Sequence, residues 1–182
     1  MRLFISINLN DANLVELEKW QNKLRSQGVG GYWRRRDNLH ITLKFFDNVQ
    51  EQNVDPLVGV LKQAAVQGQE FKLIIKTLGV FPNLNNPRIL WAGINKEPNL
   101  FKLQQEVEIR CKEIGFPLEH REYKPHLTLA SGGIKGINKT ILEEGQTLEL
   151  EQKITEFHLM SSIVEQGRRS YEVVKRFNLK KN

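Results

Sequence analysis

The amino-acid sequence predicts an α+β fold: two pseudo-symmetric lobes of mostly antiparallel sheet, with outer helices and a central cleft. Three observations lead there. "NLHITLKFF", Asn38 to Phe46, alternates between apolar and polar residues, the period of a strand with one buried face. Two other segments carry apolar residues at three-or-four spacing and end at a glycine, as amphipathic helices do. The order strand, helix, alternating strand, strand then occurs twice. His126 and Thr128 of "KPHLTLA" repeat His40 and Thr42 at an offset of 126 − 40 = 86 residues, close to half of the 182-residue chain.

Taken in order, "LFISI" at Leu3–Ile7 is an apolar strand. From Asp11 to Gln27, Leu14, Leu17, Trp20 and Leu24 mark a helix that stops at Gly28. The His40 strand follows. Val54, Leu57, Val58 and Leu61 suggest another helix with Pro56 in its first turn, where a missing N–H does no harm. "GVFPNLNNPRILWAGI" reads as strands Ile74–Phe81 and Arg88–Ile94 around a Pro/Asn loop. Leu100, Leu103, Val107 and Cys111 mark a helix over Asn99–Ile114, followed by Gly115. After the His126 strand come a short helix near Asn138–Glu144 and a hairpin around Gly167. At the 86-residue offset Leu3–Ile7 falls on Ile89–Gly93, Leu14 and Leu17 on Leu100 and Leu103, and Phe71 and Leu73 on Phe157 and Leu159. No Gly-rich linker separates the halves, so residues 1–182 are expected to form one two-lobed domain.

Composition bounds the function. A hydrophobic share of 40% and a charged share of 26% are those of a globular protein. The single Cys111 excludes an intrachain disulfide framework, and no CxxC or Cys/His zinc pattern is present. No apolar run approaches the ~20 residues of a membrane span, and "MRLFISINL" lacks the pattern of a secretory signal. A cytoplasmic monomer without membrane contact is expected. The net charge of +6 favours anionic partners.

The repeated HxT strands carry the chemistry. Residues i and i+2 of a strand share a face, so His40 and Thr42 point one way while Ile41 and Leu43 anchor the other. The same holds for His126 and Thr128, with Leu127 and Leu129 inward. Two imidazoles facing each other suit cleavage of a phosphodiester, which needs a base on the attacking group and an acid at the leaving oxygen. A pKa of ~6.5 lets one ring be neutral and the other charged. Threonine hydroxyls donate to the non-bridging oxygens that carry charge in the transition state. A strained 2′,3′-cyclic phosphate is a suitable substrate. The arrangement calls for no metal and no cofactor. His120 and His158 lack an HxT context and read as ordinary surface or sheet histidines.

On these residues the sequence resembles the two-histidine phosphoesterase superfamily, and within it the RNA 2′,3′-cyclic phosphodiesterases, once named 2′–5′ RNA ligases. The likeness runs through "MRLFISINL", "NLHITLKFF", "LGVFPNLNNPRILWAGI", "GFP" at Gly115–Pro117, "YKPHLTLA" and "YEVVKRFNL". It implies both HxT motifs in a central cleft, RNA ends or nucleoside 2′,3′-cyclic phosphates as partners, and opening of the ring to a 2′-phosphate. It further implies His40 as proton donor, His126 as proton acceptor, and Thr42 and Thr128 as phosphate ligands. One departure stands out: the family often has arginine where this chain has Ser131. Lys44, Lys124 or Lys135 could replace that charge, and strict alternation puts Lys44 and Lys124 on the histidine face and Phe45 on the other. "YWRRRD", Tyr32 to Asp37, could guide an RNA end through Arg34, with Trp33 packed inward, and Tyr123 could stack on a base. Reversible 2′–5′ joining of RNA ends and a non-catalytic nucleotide- or RNA-binding module are the alternatives.

Overall fold

The computed structural model describes residues 1–181. Its strands are β1 (Leu3–Asn8), β2 (Gly30–Trp33), β3 (His40–Phe46), β4 (Phe71–Phe81), β5 (Ile89–Ile94), β6 (His126–Lys135), β7 (Glu149–Ile154), β8 (Glu156–Glu165) and β9 (Arg168–Asn178). Its helices are α1 (Asp11–Ser26), α2 (Val54–Gln67), α3 (Pro98–Glu113) and α4 (Lys139–Glu144).

The helices begin and end for local reasons. The Asn10 side chain accepts from the Asn13 N–H at 2.8 Å and caps α1. Gly28, with φ +87°, takes the left-handed conformation just beyond the helix end. Pro98 opens α3, and Leu100, Leu103, Val107 and Cys111 form its buried stripe. Leu57, Leu61 and Ala64 do the same for α2, which packs on α3. These side chains join Leu17, Leu24, Ile41 and Leu127 in one buried cluster. The helices therefore cover the sheet face to which Ile41 and Leu127 point, and the two HxT motifs lie on the other.

All nine strands belong to one sheet of order β7-β4-β5-β6-β3-β1-β8-β9, with β2 paired to β6 off that path, and every named strand pair is antiparallel. The centre lies between β6 and β3. Outward from it, β5 balances β1, β4 balances β8, and β7 balances β9. β5 begins 89 − 3 = 86 residues after β1, and β6 begins 126 − 40 = 86 residues after β3. The two halves are thus one continuous sheet with a narrow waist: β3 and β6 share the single pair Ile41 and Leu127.

One strand, β7, and one pairing, that of β2, go beyond the sequence reading. β7 is a polar edge strand, "ELEQKI", that among the described residues pairs only with β4. The stretch before the first motif forms β2, which leaves its own half of the chain to pair with β6, and Trp33 packs against the core from there. The β8–β9 turn has positive φ at Gln166 and Gly167, as the tightest hairpins require. Among the described residues no helix is long and apolar enough to cross a membrane.

Candidate active site

Both motif strands carry a bulge at the same place. In the β1–β3 ladder Ser6 faces Thr42 but Ile5 faces Lys44, so Leu43 is left over. In the β5–β6 ladder Trp91 faces Thr128 but Leu90 faces Ala130, so Leu129 is left over. The two surplus leucines are again 129 − 43 = 86 residues apart. Each bulge lets two successive residues point inward and reverses the alternation beyond it.

That reversal corrects two expectations. Lys44 does not share the histidine face; it is 8% exposed and turned into the protein. Its ammonium lies 2.6 Å from Glu108 Oε2 on α3 and donates to the Pro117 carbonyl at 2.8 Å. Phe45 is not on the core side; it is 44% exposed and lines the cleft beside His40. Ser131 occupies the corresponding place in the second strand and pairs with Tyr32 of β2 and Ile89 of β5.

The four motif side chains come together. His40, Thr42, His126 and Thr128 line one cavity of about 150 Å³ with Phe4, Arg34, Asn38, Phe45 and Tyr171. Both imidazoles are held the same way. His40 Nδ1 is 2.9 Å from the Asn38 carbonyl oxygen, and His126 Nδ1 is 2.7 Å from the Lys124 carbonyl oxygen. A carbonyl can only accept, so each Nδ1 carries the proton and each Nε2 is left for the cavity. Aromatic edges fix the rings further: Tyr171 stands edge-on to His40 at 5.2 Å and Phe81 edge-on to His126 at 5.0 Å.

Electrostatics set His40 apart. Burial, opposed by its bond to Asn38 and assisted by the charges of Arg34 and His126, lowers its pKa to about 4. The ring is therefore neutral in the free protein at pH 7. The Arg34 side chain lines the cavity while its backbone is pinned: its N–H donates to Leu129 O at 2.8 Å, and its carbonyl accepts from the buried Gln21 amide at 2.9 Å.

A larger groove of about 870 Å³ opens beside this cavity and shares Thr42, Phe45 and His126 with it. Its wall is the irregular segment from Gly115 to Lys124. Phe116 against Phe46, Pro117 on Lys44, and Glu119 N–H on Glu108 hold that wall in place. Tyr123 also lines the groove, but its hydroxyl donates to the Thr42 carbonyl at 3.0 Å and its ring meets Phe101. Burial pushes its phenol well above the ordinary value. Tyr123 is thus mainly a strut between the segment and β3. Lys124 lies on the groove with its ammonium 3.7 Å from Glu122. Lys135 sits at the far end of β6, opposite Gly30, away from the histidines.

The other reactive groups lie elsewhere. Cys111 is buried on α3 and its thiol is pushed up to about 12, which makes it inert. His158 is buried on β8, 3.1 Å from Glu156. No cluster of three or more His, Cys, Asp or Glu side chains that could hold a metal ion is found among the described residues.

The family described as LigT like Phosphoesterase matches the chain twice, over residues 7–91 and 93–169. The RNA 2′,3′-cyclic phosphodiesterase of Methanocaldococcus jannaschii is 33% identical over 145 residues, covering 79% of this chain and 78% of that one. The enzyme of the same name from Archaeoglobus fulgidus is 30% identical over 169 residues, covering 90% and 92%. Among solved structures, Escherichia coli LigT complexed with 3′-AMP superposes with a TM-score of 0.79 at 25% identity, over 98% of this chain and 97% of that one. A Thermus thermophilus protein shares the fold with a TM-score of 0.83 at 23% identity, over 100% and 99%. Matched in both halves and related at this level along most of its length, the chain belongs to the LigT-like phosphoesterase family.

Proposed function

We propose that the protein opens the terminal 2′,3′-cyclic phosphate of RNA to a 2′-phosphate by two-histidine acid–base catalysis, with no metal ion taking part. The observation that carries this reading is the matched pair of Nδ1 bonds, His40 to Asn38 and His126 to Lys124. They leave two Nε2 atoms free toward one small cavity that also holds Thr42 and Thr128. A cavity of about 150 Å³ is well below the ≈300 Å³ at which pockets begin to hold drug-sized ligands. The adjoining groove, at about 870 Å³, is within that range. The phosphate fits the first and a base the second.

Water attacks phosphorus and gives its proton to His126 Nε2. The P–O3′ bond breaks, and His40 Nε2–H protonates O3′. The hydroxyls of Thr42 and Thr128 and the guanidinium of Arg34 meet the charge on the non-bridging oxygens. Arg34 supplies the cation that Ser131 lacks. His40 is neutral in the free protein, so the donor role requires it to gain a proton as the anionic phosphate arrives and offsets Arg34. His126 borders the open groove as well as the cavity, which suits the group that handles water.

The test is phosphorus NMR on nucleoside 2′,3′-cyclic phosphates and cyclic-ended RNA with chelator present. The expected product is the 2′-phosphate, and His40→Ala and His126→Ala are each expected to lose about 10²-fold or more. Turnover that survives in both variants, or that vanishes with chelator, would overturn the reading.

A further inference from the structure

A second depression, between α1 and the segment that follows β2, shares Arg34 with the phosphate cavity. It has a volume of about 530 Å³, and Arg25, Arg34, Arg35, Arg36, Glu18 and Asp37 are among the residues around it. Arg34 is the wall common to both spaces. Four arginines and two acidic residues line it, so the depression is cationic.

Its floor is rigid. Gln21 is buried, and its amide bridges the carbonyls of Arg34 and Leu129 at 2.9 and 3.0 Å. Arg25 lies over the Trp33 ring at 4.8 Å. The cations are not used up by the protein. Arg36 has no ion-pair partner among the described residues, and Arg35 has only Asp37, at 3.3 Å and well exposed. An exposed pair of that kind is worth ~0–1 kcal/mol and is readily exchanged for another anion. The groove beside the cavity differs. Asp47, Glu108, Glu119 and Glu122 outnumber Lys44, Arg121 and Lys124 there, and Lys44 is already paired with Glu108.

We propose that this depression is a second anionic subsite, holding the phosphodiester that precedes the reacting end of an RNA strand. The strand then leaves the catalytic cavity over Arg34, Arg35 and Arg36, while the near-neutral groove takes an uncharged base. The inference rests on reading the inner cavity as a phosphate site. It gives the "RRR" run a direction: one arginine serves the reacting phosphate and the next two serve its neighbour.

The test compares binding of a dinucleotide ending in a 2′-phosphate with binding of the corresponding nucleoside 2′-phosphate. Wild-type protein is expected to bind the dinucleotide about tenfold more tightly, with a steeper salt dependence, by ~0.7 in the log–log slope for the extra phosphate. Arg35→Gln/Arg36→Gln is expected to erase the difference while holding mononucleotide affinity within about twofold. Glu18→Gln, which removes a negative charge and cannot be mistaken for damage to the fold, is expected to widen it. Equal affinities for the two ligands in the wild type, or equal loss of both in the double variant, would overturn the inference. Turnover separates it from the function proposed above. A protein that cleaves no cyclic phosphate yet prefers the dinucleotide tenfold refutes that function and supports the subsite.

Discussion

The hydroxyl of Tyr123 donates a 3.0 Å hydrogen bond to the carbonyl oxygen of Thr42. Tyr123 stands three residues before one motif histidine, and Thr42 two residues after the other. The bond therefore ties the approach to the second motif directly to the backbone of the first, across the narrow waist of the sheet. Tyr123→Phe keeps the ring against Phe101 but leaves that carbonyl without its donor. We expect about 1–2 kcal/mol less stability in urea unfolding. A fall in kcat larger than any rise in KM is also expected, because relative placement of the rings is disturbed more than substrate contact. An unchanged kcat in a destabilised variant would show the strut to be structural only.

His40 gives a pH signature to stability. Its folded pKa is about 4 against 6.5 for the ordinary group. Between those values the unfolded chain holds more proton than the folded one, so stability falls as pH drops from 6.5 toward 4 and is unaffected by this group above 6.5. The full loss is about 3 kcal/mol. His40→Gln should remove that slope when urea midpoints are compared across the same range.

The same group gives a signature to binding. A cyclic phosphodiester keeps one charge over this range, so any pH dependence comes from the protein. In His126→Ala, which is expected not to turn substrate over, a nucleoside 2′,3′-cyclic phosphate should bind more tightly as pH falls from 7 to 5, by up to about tenfold per unit. Calorimetry in buffers of different ionisation enthalpy should register proton uptake. Absence of uptake would favour a neutral His40 acting as the base.

Lys44 and Glu108 form a buried pair at 2.6 Å under the groove wall. Lys44→Ala strands the carboxylate and should lower stability by about 3–5 kcal/mol. The double replacement Lys44→Met/Glu108→Leu should recover much of that. It will not recover all, because Glu108 also accepts the Glu119 N–H at 3.1 Å. The urea midpoints of the two variants and the wild type measure both effects.

Ser131 offers a gain-of-function test. The bulge at Leu129 puts it at the place in β6 that Phe45 occupies in β3, beside Tyr32. Ser131→Arg adds a cation there and should tighten RNA binding, raising the salt slope by ~0.7 for one new phosphate contact. Filter-binding titrations at several salt concentrations read this directly.

Much of the site was legible because its key residues precede the irregularities. His40, Thr42, His126 and Thr128 obey simple alternation, and the apolar residues between them reach the core. Lys44 and Phe45 were misplaced because the bulge at Leu43 has no glycine or proline to announce it. The one available sign was local: Phe45 and Phe46 are adjacent aromatics, and alternation cannot bury both. Arg34 stands in the dense run "YWRRRD", but its place beside the two-histidine cavity depends on β2 pairing with β6 about 100 residues away, a contact that no local pattern encodes. β7 carries no such signal, because on its inward face, Leu150, Gln152 and Ile154, a polar residue interrupts the apolar run expected of a central strand.

The surplus leucines at positions 43 and 129 bear on how such a cleft can diversify. Removing either residue would restore the regular ladder downstream and leave the adjacent histidine and threonine where they are. In β3 that single deletion would bring the Lys44 ammonium out to the ligand and send the Phe45 ring inside. Length variation immediately after the motif, more than substitution within it, is thus a short route by which relatives could acquire a new lining while keeping their chemistry.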